Sequence, residues 1–170
     1  MHIILQNLNA IKNKVNEIVN KKQLKTSPRI IAVTKTFSSE KFIDLLDSGH
    51  KDFGENKVQE TENKWPSLRK NYDDLKLHMV GKLQTNKAKK AVELFDYIHS
   101  LDNIKLAKKI DFYEKELQKK LELFIQVNIG DENQKSGILL KDVSDFYNFC
   151  TKNLSLNIIG LMCLPPVNAQ

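Results

Sequence analysis

Arg29-Ile30-Ile31-Ala32-Val33-Thr34-Lys35-Thr36 is the stretch on which the reading of this chain turns. Ile30 to Thr34 are apolar or β-branched and too few for a helix of their own, so they predict a buried strand. Lys35 follows at once, and a parallel strand covered on both faces has no solvated side for an ammonium. Lys35 therefore stands at the strand's end, directed into a cavity or into water. At the surface it would be an ordinary strand-terminal lysine. In a partly desolvated pocket its amine would be neutral part of the time and able to form a Schiff base with an aldehyde. The octapeptide leaves both readings open.

Outward from it, strands and helices alternate. Before it, Ile4, Leu8, Ile11, Val15 and Ile18 predict an amphipathic helix over residues 3–22, and Lys25 to Pro28 form a linker. After it, Ser38 is a candidate N-cap for a helix carrying Phe42, Ile43, Leu45 and Leu46, which Gly49 stops. A strand over 51–56 precedes a helix with Val58, Glu62 and Trp65, broken at Pro66. Strands over 77–81, 97–100, 123–128 and 157–162 follow. Between them lie a helix reaching Leu94, one capped by Asp102, a loop over 129–137, and a helix with Val143, Phe146, Tyr147 and Cys150. Six strands alternating with helices mean an α/β fold with a parallel sheet, doubly wound or barrel. The first strand runs into Lys-Thr-Phe-Ser, with no G-x-G-x-x-G and no P-loop, which disfavours dinucleotide binding and favours the barrel.

The bulk numbers fit one domain spanning 1–170 with a sizeable core. Lysine and arginine number 27 against 21 acidic residues, a net charge of +6. The lysines are interspersed with acids along helices, as between Lys105 and Lys120, which points to solvated faces and away from nucleic acid. The surplus also suits a small anion. Cys150 and Cys163 have neither the spacing of a zinc site nor that of a disulfide framework, and predict buried thiols in a reducing compartment. No run approaches the roughly 18 apolar residues of a membrane span. The N-terminus has no basic segment ahead of an apolar one, so a cytoplasmic protein without membrane partners is expected.

In a (β/α) barrel the functional face lies at the C-terminal ends of the strands. Those ends carry Lys35, Glu55 with Asn56, His78 with Gly81, His99 with Ser100, Asn128 and Met162. Their convergence predicts a polar pocket. Asn56 suits a neutral hydrogen bond to a ring hydroxyl or imine. His78 and His99 are acid–base candidates with structural alternatives, and His78 joins the candidate cofactor-binding set. Lys135 is a candidate second cation. The residues from Gly81 to Lys87 open a helix with amides and two lysines, a plausible anion contact.

Several of these segments, in this order, resemble the pyridoxal phosphate homeostasis protein family: Ala32 to Thr36, Phe53 to Asn56, His78 to Lys87, Gln126 to Ile129, Lys135 to Gly137, and Gly160 to Met162. These proteins are single-domain relatives of the alanine racemase N-terminal barrel. The H-x-x-G-x-L-Q-x-N-K stretch from His78 is the specific signature. The resemblance implies a (β/α)8 barrel of which this sequence supplies about six strands, with an extra N-terminal helix. It implies pyridoxal 5′-phosphate on Lys35 as a Schiff base, Asn56 in the pocket, Met162 under the cofactor and Lys135 in a nearby loop. It implies vitamin B6 homeostasis without an established reaction, and recipient apo-enzymes as unknown partners. It also implies two further β/α units, with the phosphate-binding parts, after Gln170, so that the chain is truncated. The competing expectation is an amino-acid racemase-like enzyme using the same cofactor.

Overall fold

The computed structural model describes residues 3–130 and 136–165. The apolar spacing at the N-terminus yields α1 (Ile3–Lys21), of which Leu8 is the buried anchor. The lysine-bearing stretch forms β1 (Ala32–Val33), shorter than its β-branched run, although Thr34 still donates its amide to Gly54 O at 2.9 Å. A 3₁₀ turn leads into α2 (Ile43–Asp47). Gly49, at φ 79°, ends α2 as expected: His50 N–H reaches Leu45 O at 3.0 Å and Gly49 N–H reaches Leu46 O at 2.9 Å, the paired bonds of a Schellman closure.

Then follow β2 (Asp52–Glu55), α3 (Val58–Asn71), β3 (Lys76–Met79), α4 (Ala88–Leu94), β4 (Tyr97–Leu101), α5 (Ile104–Glu116) and β5 (Glu122–Asn128). Two expectations are corrected here. Pro66 lies inside α3 without breaking it. Its missing N–H removes a helical bond, but Trp65 and Leu68 on either side of it are buried in the core and hold both halves of the helix against the sheet. The cap of α5 is Asn103, one residue later than Asp102: its side-chain oxygen accepts from Leu106 N–H at 2.8 Å.

The loop after β5 contains a further strand, β6 (Ile138–Leu139), which pairs with Val127 and Asn128. Gly137 makes this possible. Its φ is 128°, and a Cβ there would stand 2.6 Å from Asn128 N. α6 (Val143–Asn148) and β7 (Ile158–Cys163) complete the described chain. Cys150 is buried as expected, but Cys163, the last residue of β7, is exposed.

Every strand pairing is parallel, and β1 to β5 lie side by side in chain order, with β6 and β7 both on β5. Chain order without reversal is the mark of a singly wound, barrel-type sheet; a doubly wound sheet reverses at a switch point. Among the described residues β1 and β7 do not pair with each other, so the sheet is an open arc. Alternate strand residues face opposite sides. Phe53, Leu77, Ile98, Leu123 and Ile125 are fully buried toward the helices with Trp65, Ala88, Leu106 and Ile110. Their neighbours Gly54, His78, Tyr97, His99 and Phe124 face the concave side.

Candidate functional site

Lys35 occupies the turn at the end of β1, which Phe37 N–H closes onto Thr34 O at 3.2 Å. The side chain is exposed and has no hydrogen bond or ion pair among the described residues. The next residue, Thr36, is held at φ 65°, a left-handed conformation that a β-branched residue adopts only under constraint. Helix α3 supplies that constraint. Glu60 Oε2 accepts the Thr36 N–H at 3.3 Å. Lys64 Nζ donates to Thr34 O at 3.0 Å and to Phe37 O at 3.2 Å. The same ammonium meets Glu55 Oε1 at 2.5 Å. Glu55 is wholly buried at the end of β2, where its Oε1 also accepts the Thr34 hydroxyl at 2.7 Å and the Trp65 indole N–H at 3.0 Å. Thr34 and Glu55 face the helices because they follow inward-facing Val33 and Gly54 by one residue.

Asn56 lies on the same rim. Val33 is in register with Gly54, so Lys35 and Asn56 each stand two residues beyond a paired position. The Asn56 Oδ1 is buried and has no hydrogen-bond partner among the described residues. Gly81, at the end of β3, packs so closely on Asn56 that a Cβ would fall 2.4 Å from the Asn56 carbonyl oxygen. Gly81 also borders a mouth cavity of about 290 Å³ lined by Lys82, Gln126, Asn128, Ser136 and Met162. Asn56 and Met162 are thus joined through Gly81, with Met162 in register with Gln126 of β5. Lys35 stands outside that cavity's lining, and Lys135 lies outside the described residues.

His78 sits deeper, inside the arc. Arg29, ahead of β1, pairs with Asp52 and donates to the Tyr97 hydroxyl at 2.9 Å. Asp52 Oδ1 takes the His78 Nε2–H at 3.1 Å, and His78 Nδ1 lies 3.0 Å from His99 Nε2. His78 stacks on Tyr97 at 4.2 Å, and His99 stacks on Phe124 at 4.4 Å. Burial lowers both imidazoles, His78 against the pull of Asp52, and His99 to about 4 with help from His78. Burial pushes the Asp52 carboxyl up, but hydrogen bonds from Arg29 and His78 outweigh it and hold the group below the usual carboxylate range. Both imidazoles are therefore neutral at pH 7, and the ionised carboxylate fixes their tautomers. His78 donates from Nε2 to Asp52 and accepts at Nδ1 from His99 Nε2–H.

Sequence reasoning had singled out Lys35, Asn56, His78 and Met162 but not Lys64, Arg29 or Asp52. The last two were within reach, since Arg29, Ile31 and Val33, like Asp52 and Gly54, alternate onto the inner face. Nothing local marks Lys64, whose role arises only when α3 folds back over the lysine turn.

The alanine racemase N-terminal domain family matches residues 6–169. The pyridoxal phosphate homeostasis protein of Escherichia coli K12 is 31% identical over 174 residues, covering all of this chain and 74% of that protein. This chain belongs to the pyridoxal phosphate homeostasis protein family. The family's Synechocystis member is 36% identical over 144 residues, covering 85% of this chain and 66% of its own length, so this chain spans about two thirds to three quarters of those relatives. PipY of Synechococcus elongatus superposes with a TM-score of 0.77 at 33% identity without PLP, and 0.73 at 31% with PLP bound. These matches cover 92% and 91% of this chain and 73% and 72% of PipY. The fold is thus the α/β barrel type of the alanine racemase N-terminal domain.

Proposed function

We propose that the chain binds pyridoxal 5′-phosphate covalently through Lys35 and serves intracellular vitamin B6 homeostasis without catalysing a reaction of its own. When bound, the cofactor supplies an aldehyde that condenses with a lysine amine and releases water. Membership of the family and the PLP complex of its relative PipY support this reading. The observation that carries it is the lysine turn: a Lys35 amine at the end of β1 that has no partner among the described residues, on one rim with a buried Asn56 Oδ1 that likewise has none among them.

The residues fit the aldehyde end of such a ligand. Asn56 offers a neutral acceptor to a ring hydroxyl or protonated nitrogen, and Met162 gives an apolar floor beside Gln126 and Asn128. In this reading His78 holds the floor beneath the ring through Asp52 and His99. Lys135, which follows β5 in the sequence and lies outside the described residues, is the second cation of this reading.

Borohydride reduction of the loaded protein followed by peptide mapping should place the pyridoxyl label on Lys35, and Lys35→Ala should abolish both the label and the visible absorbance. A label elsewhere would end the proposal. The alternative, a racemase-like enzyme, needs a second acid–base group facing the lysine. Two tyrosine hydroxyls are engaged elsewhere: Tyr97 accepts from Arg29 and Tyr72 donates to Asp47. Exchange of the α-proton of L-amino acids in deuterated water would detect such an activity.

A further inference from the structure

We propose that Lys64 is a positioning residue for Lys35: its ammonium braces the turn that carries the reactive amine and holds Thr36 left-handed. This deepens the reading above, since it rests on Lys35 as the attachment point. An ammonium has three N–H groups, and here each has one acceptor. These are Glu55 Oε1 at 2.5 Å, Thr34 O at 3.0 Å and Phe37 O at 3.2 Å. The two carbonyls are the first and last of the turn, so the brace spans the residues between them, Lys35 and Thr36. Glu55 gives it a fixed base. That carboxylate is wholly buried, and the Lys64 side chain is only 12% exposed.

The brace answers a need in the turn itself. Thr36 at φ 65° would relax to a right-handed or extended backbone if released, and the direction of the preceding side chain would change with it. Glycine at that position would adopt the same φ freely. Around the brace, the Lys64 ammonium lies 5.2 Å from the Phe42 ring and 5.9 Å from the Trp65 ring. Methionine at position 64 would keep much of that apolar packing and lose the donors. The role of Lys64 is thus separable from core packing.

The test compares wild type, Lys64→Met and Lys64→Met/Thr36→Gly. Three quantities are read: amide exchange at Phe37 in the cofactor-free protein, apparent Kd for pyridoxal 5′-phosphate with borohydride-trapped label at Lys35, and thermal midpoint. Lys64→Met should speed Phe37 exchange and weaken binding by about tenfold or more, the scale on which misplacing a reacting group is felt. Thr36→Gly on that background should recover part of the affinity while leaving the thermal midpoint low. Should Lys64→Met fail to fold, Lys64→Arg takes its place with the same readouts. It keeps a cation against Glu55, but a planar guanidinium cannot send one donor to each of three convergent acceptors. Unchanged exchange and affinity would overturn the proposal, and so would a loss of affinity that follows the thermal midpoint and is not recovered by glycine. Wild-type label away from Lys35 would refute the attachment point, while Phe37 exchange would still judge the brace.

Discussion

Replacing His99 by phenylalanine should flatten the acid side of the protein's stability curve. His99 is 9% exposed, stacked on Phe124 at 4.4 Å and hydrogen-bonded to His78. Burial, then the neighbouring His78, lowers it from 6.5 to about 4 in the folded chain. Between those values the unfolded chain binds a proton at this site and the folded chain does not, so stability rises with pH across that window. The contribution is complete above pH 6.5 and is lost as pH falls toward 4. One such proton corresponds to about 1.4 kcal/mol per pH unit, and the full depression to at most about 3.4 kcal/mol. Phenylalanine keeps the stacking on Phe124, removes the titration and leaves His78 Nδ1 without its donor, so the variant should start lower at pH 7.5. Urea unfolding followed by Trp65 fluorescence at pH 7.5, 6.5, 5.5 and 4.5 gives both curves. The wild type should lose about 2 kcal/mol more than His99→Phe between pH 6.5 and 4.5. Parallel curves would refute the argument that His99 is buried in its neutral form.

Other outcomes follow from single contacts. Gly81→Ala would drive a methyl into the Asn56 backbone, 2.4 Å from its carbonyl oxygen, and should cost about 2 kcal/mol or more in urea unfolding while weakening cofactor binding. Gly137→Ala combines an unfavourable φ of 128° with a 2.6 Å clash on Asn128 N. It should destabilise by about 2–3 kcal/mol and speed amide exchange in β6. Lys35→Ala should leave the unfolding free energy in urea within the small scatter of about 0.5 kcal/mol expected of an exposed side chain that makes no bond among the described residues, while removing the trapped label.

Much of the fold was legible because period and punctuation agreed. The alternation of short β-branched runs with helical stripes gave the parallel sheet, and Gly49 closed α2 as read. Pro66 misled because local backbone chemistry says where a helix loses a bond, while Trp65 and Leu68, set by tertiary packing, decide whether it continues. β6 was missed because two residues carry no period. Only Gly137, with its positive φ, hinted that the loop returns to the sheet. At the site, polarity at the strand ends is a one-dimensional signal and marked Lys35 and Asn56, whereas Met162, an apolar end, entered through the family resemblance. The Arg29–Asp52–His78–His99 ladder is legible only once adjacent strands are placed in register, for its members are drawn from four separate segments. Lys64 is less legible still, because a lysine on an exposed-looking helix reads as solubility until its acceptors are known.

The short span of β1 has one more consequence. Two residues of that strand are in register with β2, against five register positions between β5 and β7. The segment bearing Lys35 is therefore stitched to the body chiefly by side chains reaching across from α3, and little by the ladder. A margin fastened in this way can loosen and reseat while the remaining strands stay shut. Entry and exit of a small molecule at that rim would then need no opening of the whole sheet.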